Sequence, residues 1–407
     1  MFEIPESVRP LRDKVMRFVK EDCLPFEDEL RRSGRLGGHS QLAPDAAPGE
    51  RKFIWHGLRE RAKELGLWAP GHPVEYGGGG LPFFDYSFIN EAIGQSHLAI
   101  FAMGTATLQT FWMVAQRGSE HWKQKLLQPL VDGDIEISYA MTEPDVASSD
   151  PTQLQTTATL DGDEWVLNGR KWFISLLNQA SYVIVMCRTE HDEALSPHAR
   201  FSMIIVPLEP APKGFRKVRE LMPDTWEIEF DNVRVPRDNI LGEPGTGFAQ
   251  SQQRLGPGRI YHCMRSLGQA QLAFDLMCRR ANDRILSGRP LGHKQLVREM
   301  VFDSYVDIQS SRLLVLDAAS KYDRGEEARV ETGVIKVQCA RMVGRVVDRA
   351  IQIHGAMGLS NLTPLATMSG RALRIVDGAD EVHIDRTGRI LLDAYADDGP
   401  GWDFATR

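Results

Sequence analysis

The chain has 407 residues, 42% apolar and 25% charged, with a formal net charge of −7. That length exceeds one ordinary core and predicts two or three domains, while the composition excludes a largely disordered chain. An acidic balance with no basic stripe excludes a nucleic-acid binder. Five scattered cysteines (Cys23, Cys187, Cys263, Cys278, Cys339) form no C-x-x-C pair. They read as reduced thiols of a cytoplasmic protein, not as a disulfide frame or a metal site. No basic segment leads into an apolar run at the N-terminus, so no signal peptide is expected.

Apolar positions at Val8, Leu11, Val15, Phe18 and Val19 recur near a helical period and predict helix within residues 5–30. Gly, Pro, Ser and Ala crowd 31–50, which reads as a surface excursion, and a helix over 52–65 stops at Gly66. Gly77–Gly80 bring four glycines together. Neither a preceding strand nor a following Lys-Ser/Thr supports a phosphate loop there. A helix over 84–96 leads into 96–116, which carries no Lys, Arg, Asp or Glu. Gly104, Thr105, Thr107, Gln109, Thr110 and Gln116 interrupt that stretch, so it reads as helix buried in a bundle and not as a membrane span. A helix over 120–130 closes a helical domain, 1–135.

The period then shifts to two. A hairpin is predicted from 156–160, an Asp161-Gly162 turn and 165–167. Apolar strands follow at 182–187 and 201–207, then an alternating one at 226–235, giving a β-domain over 136–245. Helices return over 246–407. There Val343, Val346, Val347 and Ala350 mark one buried face, and Gly288-Arg289-Pro290-Leu291 separates two long helices. The class is α+β, with a sheet domain between helical ones.

The residues with chemical promise begin at Tyr139-Ala140-Met141-Thr142-Glu143-Pro144-Asp145-Val146-Ala147-Ser148-Ser149-Asp150. Alone this is an acidic turn. It resembles, however, the flavin-binding signature of the acyl-CoA dehydrogenase family, Tyr-x-x-Thr-Glu-Pro-…-Ser-Asp. The resemblance implies that Tyr139, Met141, Thr142 and Ser148 meet FAD, and Ser148 the substrate too. Asn168-Gly169-Arg170-Lys171-Trp172-Phe173-Ile174-Ser175 is similar to the family's Asn-Gly-x-Lys-x-Trp-Ile-Thr. It implies Trp172 and Phe173 beside the isoalloxazine and Ser175 near flavin N5, with Phe173 where Trp is usual. The 71–82 run looks like the family's Tyr-Gly-Gly-x-Gly turn.

Two later stretches add to the FAD set. Arg284-Ile285-Leu286-Ser287-Gly288-Arg289-Pro290-Leu291 resembles Arg-x-x-Phe-Gly-x-Pro-Leu, whose Arg reaches the pyrophosphate of a neighbouring subunit's FAD. Arg284 would fill that role bidentately, while Ser287 replaces the Phe. Gln352-Ile353-His354-Gly355-Ala356-Met357-Gly358 resembles Gln-x-x-Gly-Gly-x-Gly, implying FAD contacts at Gln352, Gly355 and Ala356; His354 reads as a packed histidine.

In Arg374-Ile375-Val376-Asp377-Gly378-Ala379-Asp380-Glu381-Val382-His383, Asp377 occupies the position of the family's catalytic Glu. The implied role is removal of the substrate's α-proton. Burial would tune such a carboxylate, and donors to the thioester oxygen would stabilise the enolate. Val376 and Gly378 would face acyl-CoA, and Ala379 and Glu381 FAD. Asp is shorter than Glu by about 1.5 Å, a distance that matters when about 1 Å costs about 100-fold. An exposed acidic turn is the plain alternative. Arg259, in Arg254-Leu255-Gly256-Pro257-Gly258-Arg259, either positions acyl-CoA or the catalytic loop, or pairs structurally near a helix start.

The resemblance spans about residues 5–395. It implies an N-terminal helical domain, a central β-barrel-like domain and a C-terminal four-helix bundle. FAD would lie between the last two, completed by a neighbour's residues in a homo-oligomer, either a homodimer or a dimer of dimers. The motifs look most like the branch related to large mitochondrial members fused to kinase-like regions. The expected activity is dehydrogenation of an acyl-CoA to trans-2-enoyl-CoA, with an electron-transferring flavoprotein as acceptor. The Asp keeps open elimination from a 4-hydroxy- or 4-phosphoacyl-CoA without net redox, and a flavin-holding non-catalytic partner is a third reading.

Overall fold

The computed structural model describes residues 3–36, 41–47, 50–368, 370–396, 399 and 401; parts of the 31–50 excursion lie outside these. Helix α1 (Arg9–Phe18) passes through a π-helical turn into α2 (Leu24–Arg32). Helix α3 covers His56–Glu64, shorter than the expected span, and Gly66 follows at φ +68°. Next come α4 (Phe83–Ile93), α5 (Ala99–Ala102), α6 (Leu108–Arg117) and α7 (Glu120–Asp132). The uncharged stretch is thus two helices, because Gly104 at φ +65° breaks it. Among the described residues no helix is long and apolar enough to cross a membrane.

Eight strands follow: β1 (Glu136–Ala140), β2 (Thr157–Asp161), β3 (Glu164–Ser175), β4 (Ala180–Arg188), β5 (Phe201–Pro207), β6 (Phe215–Met222), β7 (Thr225–Pro236) and β8 (Ile240–Leu241). They join one sheet in the order β6-β7-β3-β2-β4-β5-β8, with β1 parallel to β4. Asp161 pairs with Glu164, so the hairpin loop is Gly162-Asp163, one residue later than expected. The long helix α8 (Gly247–Asp283) leads to a small hairpin, β9 (Ile285–Leu286) and β10 (Arg289–Pro290). Helices α9 (Gln295–Asp323), α10 (Arg329–His354) and α11 (Asp380–Asp393) complete the described elements.

The chain packs as two compact units. One holds residues 37–80 and 101–255, the other 1–36, 81–100 and 256–407. In the first, the sheet is buried on both faces. Ile184, Met186, Met203 and Ile205 join Phe111, Val114, Leu126 and Leu127 of α6 and α7. Their neighbours Val183, Val185, Ile204 and Val206 join Leu167, Ile228, Phe230 and Val233 on the other face. Two-sided burial is why β4 and β5 read as continuous apolar runs. Edge strand β6 is largely exposed, and its apolar residues Phe215, Val218, Leu221 and Met222 do not alternate, so it left no period-two signature in the sequence.

In the second unit α4 lies against α8. Asn90 Nδ2 donates to the Tyr261 carbonyl at 3.2 Å, and Arg312 of α9 forks onto the Glu91 carboxylate at 2.6 and 3.0 Å. A Cβ at Gly268 would sit 2.1 Å from the Glu91 carbonyl oxygen. Backbone cannot yield there as a flexible side chain would. Gly268→Ala is expected to cost about 3 kcal/mol by overpacking, read as a lowered unfolding midpoint against wild type.

Candidate active site

On α8, Arg259, His262 and Arg265 recur every third residue and so share a helix face. All three converge near the segment that precedes α11. Arg259 Nε donates to the Asp377 carbonyl at 2.8 Å, and His383 Nε2 of α11 lies 3.2 Å from the same oxygen. His262 Nε2 stands 3.1 Å from Asp377 Oδ2, whose side chain is 17% exposed. Arg265 Nη2 donates to His262 Nδ1 at 2.9 Å. Lys336 of α10 donates to the carbonyls of Leu373 and Gly378.

The backbone here is held in an unfavourable conformation. Asp377 has φ +54°, left-handed for a residue with a side chain, and Gly378 follows at φ +103°. A Cβ on Gly378 would meet His383 Nε2 at 2.7 Å, so glycine permits the close approach of that ring. Strained residues of this kind persist only where surrounding contacts over-determine them. Asp380 is buried and takes Arg374 at 2.8 Å and Arg341 at 3.2 Å. The segment is therefore an anchored turn, not a solvated acidic one.

In the sheet unit the loop after β1 is tied down by its own motif residues. Glu143 is buried and accepts from the amides of Gln155 and Thr156 at 2.6 and 2.9 Å and from Lys171 Nζ at 2.8 Å. Burial works to raise the Glu143 pKa, but the Lys171 charge and these donors offset it and hold the carboxyl below its ordinary value. Thr142 Oγ1 donates to the Trp172 carbonyl at 2.6 Å, while the Trp172 amide donates to the Thr142 carbonyl at 3.0 Å. Ser148 Oγ accepts from the Glu143 amide at 2.9 Å. Strand β3 loses its regular register with β7 between Lys171 and Ile174. There Phe173 takes φ +55° and turns its ring outward, 48% exposed and 4.8 Å from the Trp172 ring. Tyr139 is half-buried, its ring 4.5 Å from the Arg254 guanidinium. Ser175 is exposed at the end of β3.

The residues anticipated from motifs thus fall into local groups. Tyr139, Met141, Thr142, Ser148, Trp172, Phe173 and Ser175 gather along β1, its loop and β3. Arg259, Val376, Asp377, Gly378 and Ala379 gather where α8 meets the start of α11, with Glu381 exposed in its first turn. Arg284 stands exposed beyond the end of α8, on the order of 35 Å along that helix from Arg259. Gln352, Gly355 and Ala356 are exposed at the far end of α10, Gln352 about 24 Å along it from Lys336. His354 is buried, with Nδ1 2.8 Å from the Ala350 carbonyl. The sequence reading missed His262, Arg265, His383 and the Glu143–Lys171 pair.

Buried titratable groups give opposed pH signatures. Burial pushes His72 and His383 down to about 4 from 6.5. Between those values the unfolded chain binds protons that the folded one refuses, so stability falls as pH drops from about 6.5 towards 4. Burial pushes Glu136 up to about 7 from 4.5, so its contribution falls as pH rises through that interval. In melts across this range, His72→Gln is expected to flatten the acid-side loss and Glu136→Gln to steepen it.

The order of helical, sheet and helical elements, with a carboxylate turn ahead of α11 and an aromatic, hydroxyl-bearing loop after β1, is the order that the sequence resemblance implied. Three family models match in succession: the acyl-CoA dehydrogenase N-terminal domain at 5–134, middle domain at 138–233 and C-terminal domain at 245–392. The chain belongs to the acyl-CoA dehydrogenase family. It is 41% identical over 400 residues to a probable acyl-CoA dehydrogenase, FadE2, of Mycobacterium tuberculosis, covering 94% of each chain. It is 36% identical to acyl-CoA dehydrogenase family member 11 of Gallus gallus, over 93% of this chain and 50% of that one. The solved structure of butyryl-CoA dehydrogenase from Megasphaera elsdenii superposes with a TM-score of 0.81 at 26% identity, over 96% of this chain and 100% of that one. The chain is thus an oxidoreductase acting on CH–CH groups, and its general reaction is FAD-dependent acyl-CoA dehydrogenation.

Proposed function

We propose that this chain converts a saturated acyl-CoA to the trans-2-enoyl-CoA, with Asp377 as the base that takes the α-proton. The observation that carries this reading is the fixed carboxylate: a left-handed Asp377 whose carbonyl is held by Arg259 and approached by His383. Anchoring of that kind answers the shortness of Asp, because the turn itself, not side-chain reach, sets where the carboxylate stands. Val376 and Gly378 flank the base and face the thioester, and Arg259 positions the catalytic turn through its backbone.

The residues of the sheet unit suit FAD: an exposed Phe173 ring with Trp172 beside it, together with Tyr139, Met141, Thr142, Ser148 and Ser175 along the same strands and loop. When bound, FAD supplies the acceptor for the hydride that leaves the β-carbon. Asp377 takes the α-proton in the same reaction, so the substrate loses two hydrogens and gains one double bond. Arg284, Gln352, Gly355 and Ala356 stand far from Asp377's neighbours Arg259 and Lys336 along α8 and α10, which suits completion of a neighbour's FAD in a dimer of dimers. Exposed Phe302, Tyr305 and Leu313 on α9 suit such an assembly. The electron acceptor is an electron-transferring flavoprotein.

Incubation of the purified oligomer with octanoyl-CoA and an electron-transferring flavoprotein tests this reading. It is expected to yield an acyl-CoA lighter by two hydrogens, formed beyond one equivalent per flavin only when the acceptor is present. Conversion of a parallel 4-hydroxyoctanoyl-CoA sample to a product that has lost its 4-substituent without any acceptor, with octanoyl-CoA left untouched, would replace it.

A further inference from the structure

The role given to Asp377 leaves two neighbours without a task. Arg265 Nη2 donates to His262 Nδ1 at 2.9 Å. A guanidinium has donors only, so Nδ1 accepts and a neutral imidazole carries its proton on Nε2. That nitrogen lies 3.1 Å from Asp377 Oδ2, an atom buried from solvent.

We propose that Arg265 and His262 are positioning residues: Arg265 fixes the His262 tautomer, and His262 Nε2–H holds Oδ2 so that Oδ1 alone receives the α-proton. This rests on Asp377 being the base. Burial and the Arg265 charge hold His262 below its ordinary value, which keeps the ring neutral and the donor in place. An Asp side chain has two torsions. The clamped backbone at φ +54° restricts one, and a donor on Oδ2 restricts the other. Cations on two elements also lie near this carboxylate, Arg259 and Arg265 from α8 and Lys336 from α10, while Arg386 of α11 stands near His383 and Arg259, and Tyr86 of α4 near Arg265. His262 therefore acts by direction, with the surrounding charge already supplied.

The test compares His262→Leu and His262→Gln with wild type and Asp377→Asn, following flavin bleaching by butyryl-, octanoyl- and palmitoyl-CoA across pH. Gln offers an amide N–H near the position of Nε2; Leu offers none. His262→Leu is expected to bleach about 10- to 100-fold more slowly. Its acid limb should move up by about one pH unit, since a donor lost from a carboxylate disfavours the charged form. His262→Gln should restore both rate and limb, with flavin content and melting temperature equal in the two variants. A slow Asp377→Asn beside a His262→Leu with unchanged rate and limb would overturn the positioning role alone. An active Asp377→Asn would overturn the base and this inference with it. Should none of the three thioesters bleach the flavin, nitrogen-15 NMR of labelled histidines decides, with His262→Gln assigning the resonance. A neutral Nε2–H ring across the neutral range supports the proposal, and an Nδ1–H or protonated ring refutes it.

Discussion

Asp377→Asn is expected to slow flavin reduction by acyl-CoA by about 100- to 10,000-fold, the range that loss of a positioned general base costs. The amide keeps the volume and can still meet His262, so the turn and the bound flavin's spectrum should be unchanged. Asp377→Glu makes a sharper point. It restores a longer carboxylate but pushes it about 1.5 Å further from an anchored backbone. Because Arg259 and His383 hold the Asp377 carbonyl, the turn cannot retreat, and a loss of about 10- to 100-fold is expected. Stopped-flow absorbance with one acyl-CoA measures both. Wild-type rates in Asp377→Asn would remove this residue from the chemistry.

The second large effect concerns stability. Lys171 is fully buried against Glu143, and the Glu143 carboxylate also ties the amides of Gln155 and Thr156. Removing one partner of a buried pair strands the other's charge at about 3–5 kcal/mol. Glu143→Gln is expected to lose that much in denaturant unfolding, and to release flavin on gel filtration because the loop carrying Thr142 and Ser148 is no longer tied to β3. The double variant Glu143→Gln/Lys171→Met should recover part of the stability. Equal midpoints for Glu143→Gln and wild type would show that the pair does not hold the loop.

Much of the fold was legible because its signals are local. The continuous apolar runs of β4 and β5, the stop at Gly66 and the break at Gly288 each depend on a few neighbouring residues. The failures have physical causes too. Strand β6 buries little and so has no hydrophobic alternation, and Gly104 was visible as an interruption but not as the end of a helix. In the candidate site the motif letters drew attention to Asp377 and to Trp172-Phe173. They could not reveal that Phe173 sits on a register shift at positive φ, since an aromatic residue in a strand usually marks regular pairing. His262 escaped for another reason. The Arg259, His262 and Arg265 spacing is a readable helix face, but its partner lies 115 positions on, at Asp377, and side-chain pairing at that range leaves no local trace.

The measurement that bears most directly on the central claim is anaerobic mixing of the flavin-loaded protein with saturated acyl-CoAs of graded length and branching, while following visible absorbance. Dehydrogenation with Asp377 as base predicts rapid bleaching by at least one class, slowed by about 100- to 10,000-fold with that class in Asp377→Asn. A flavin that stays oxidised with every saturated thioester, while a 4-hydroxy- or 4-phosphoacyl-CoA is consumed, would contradict it.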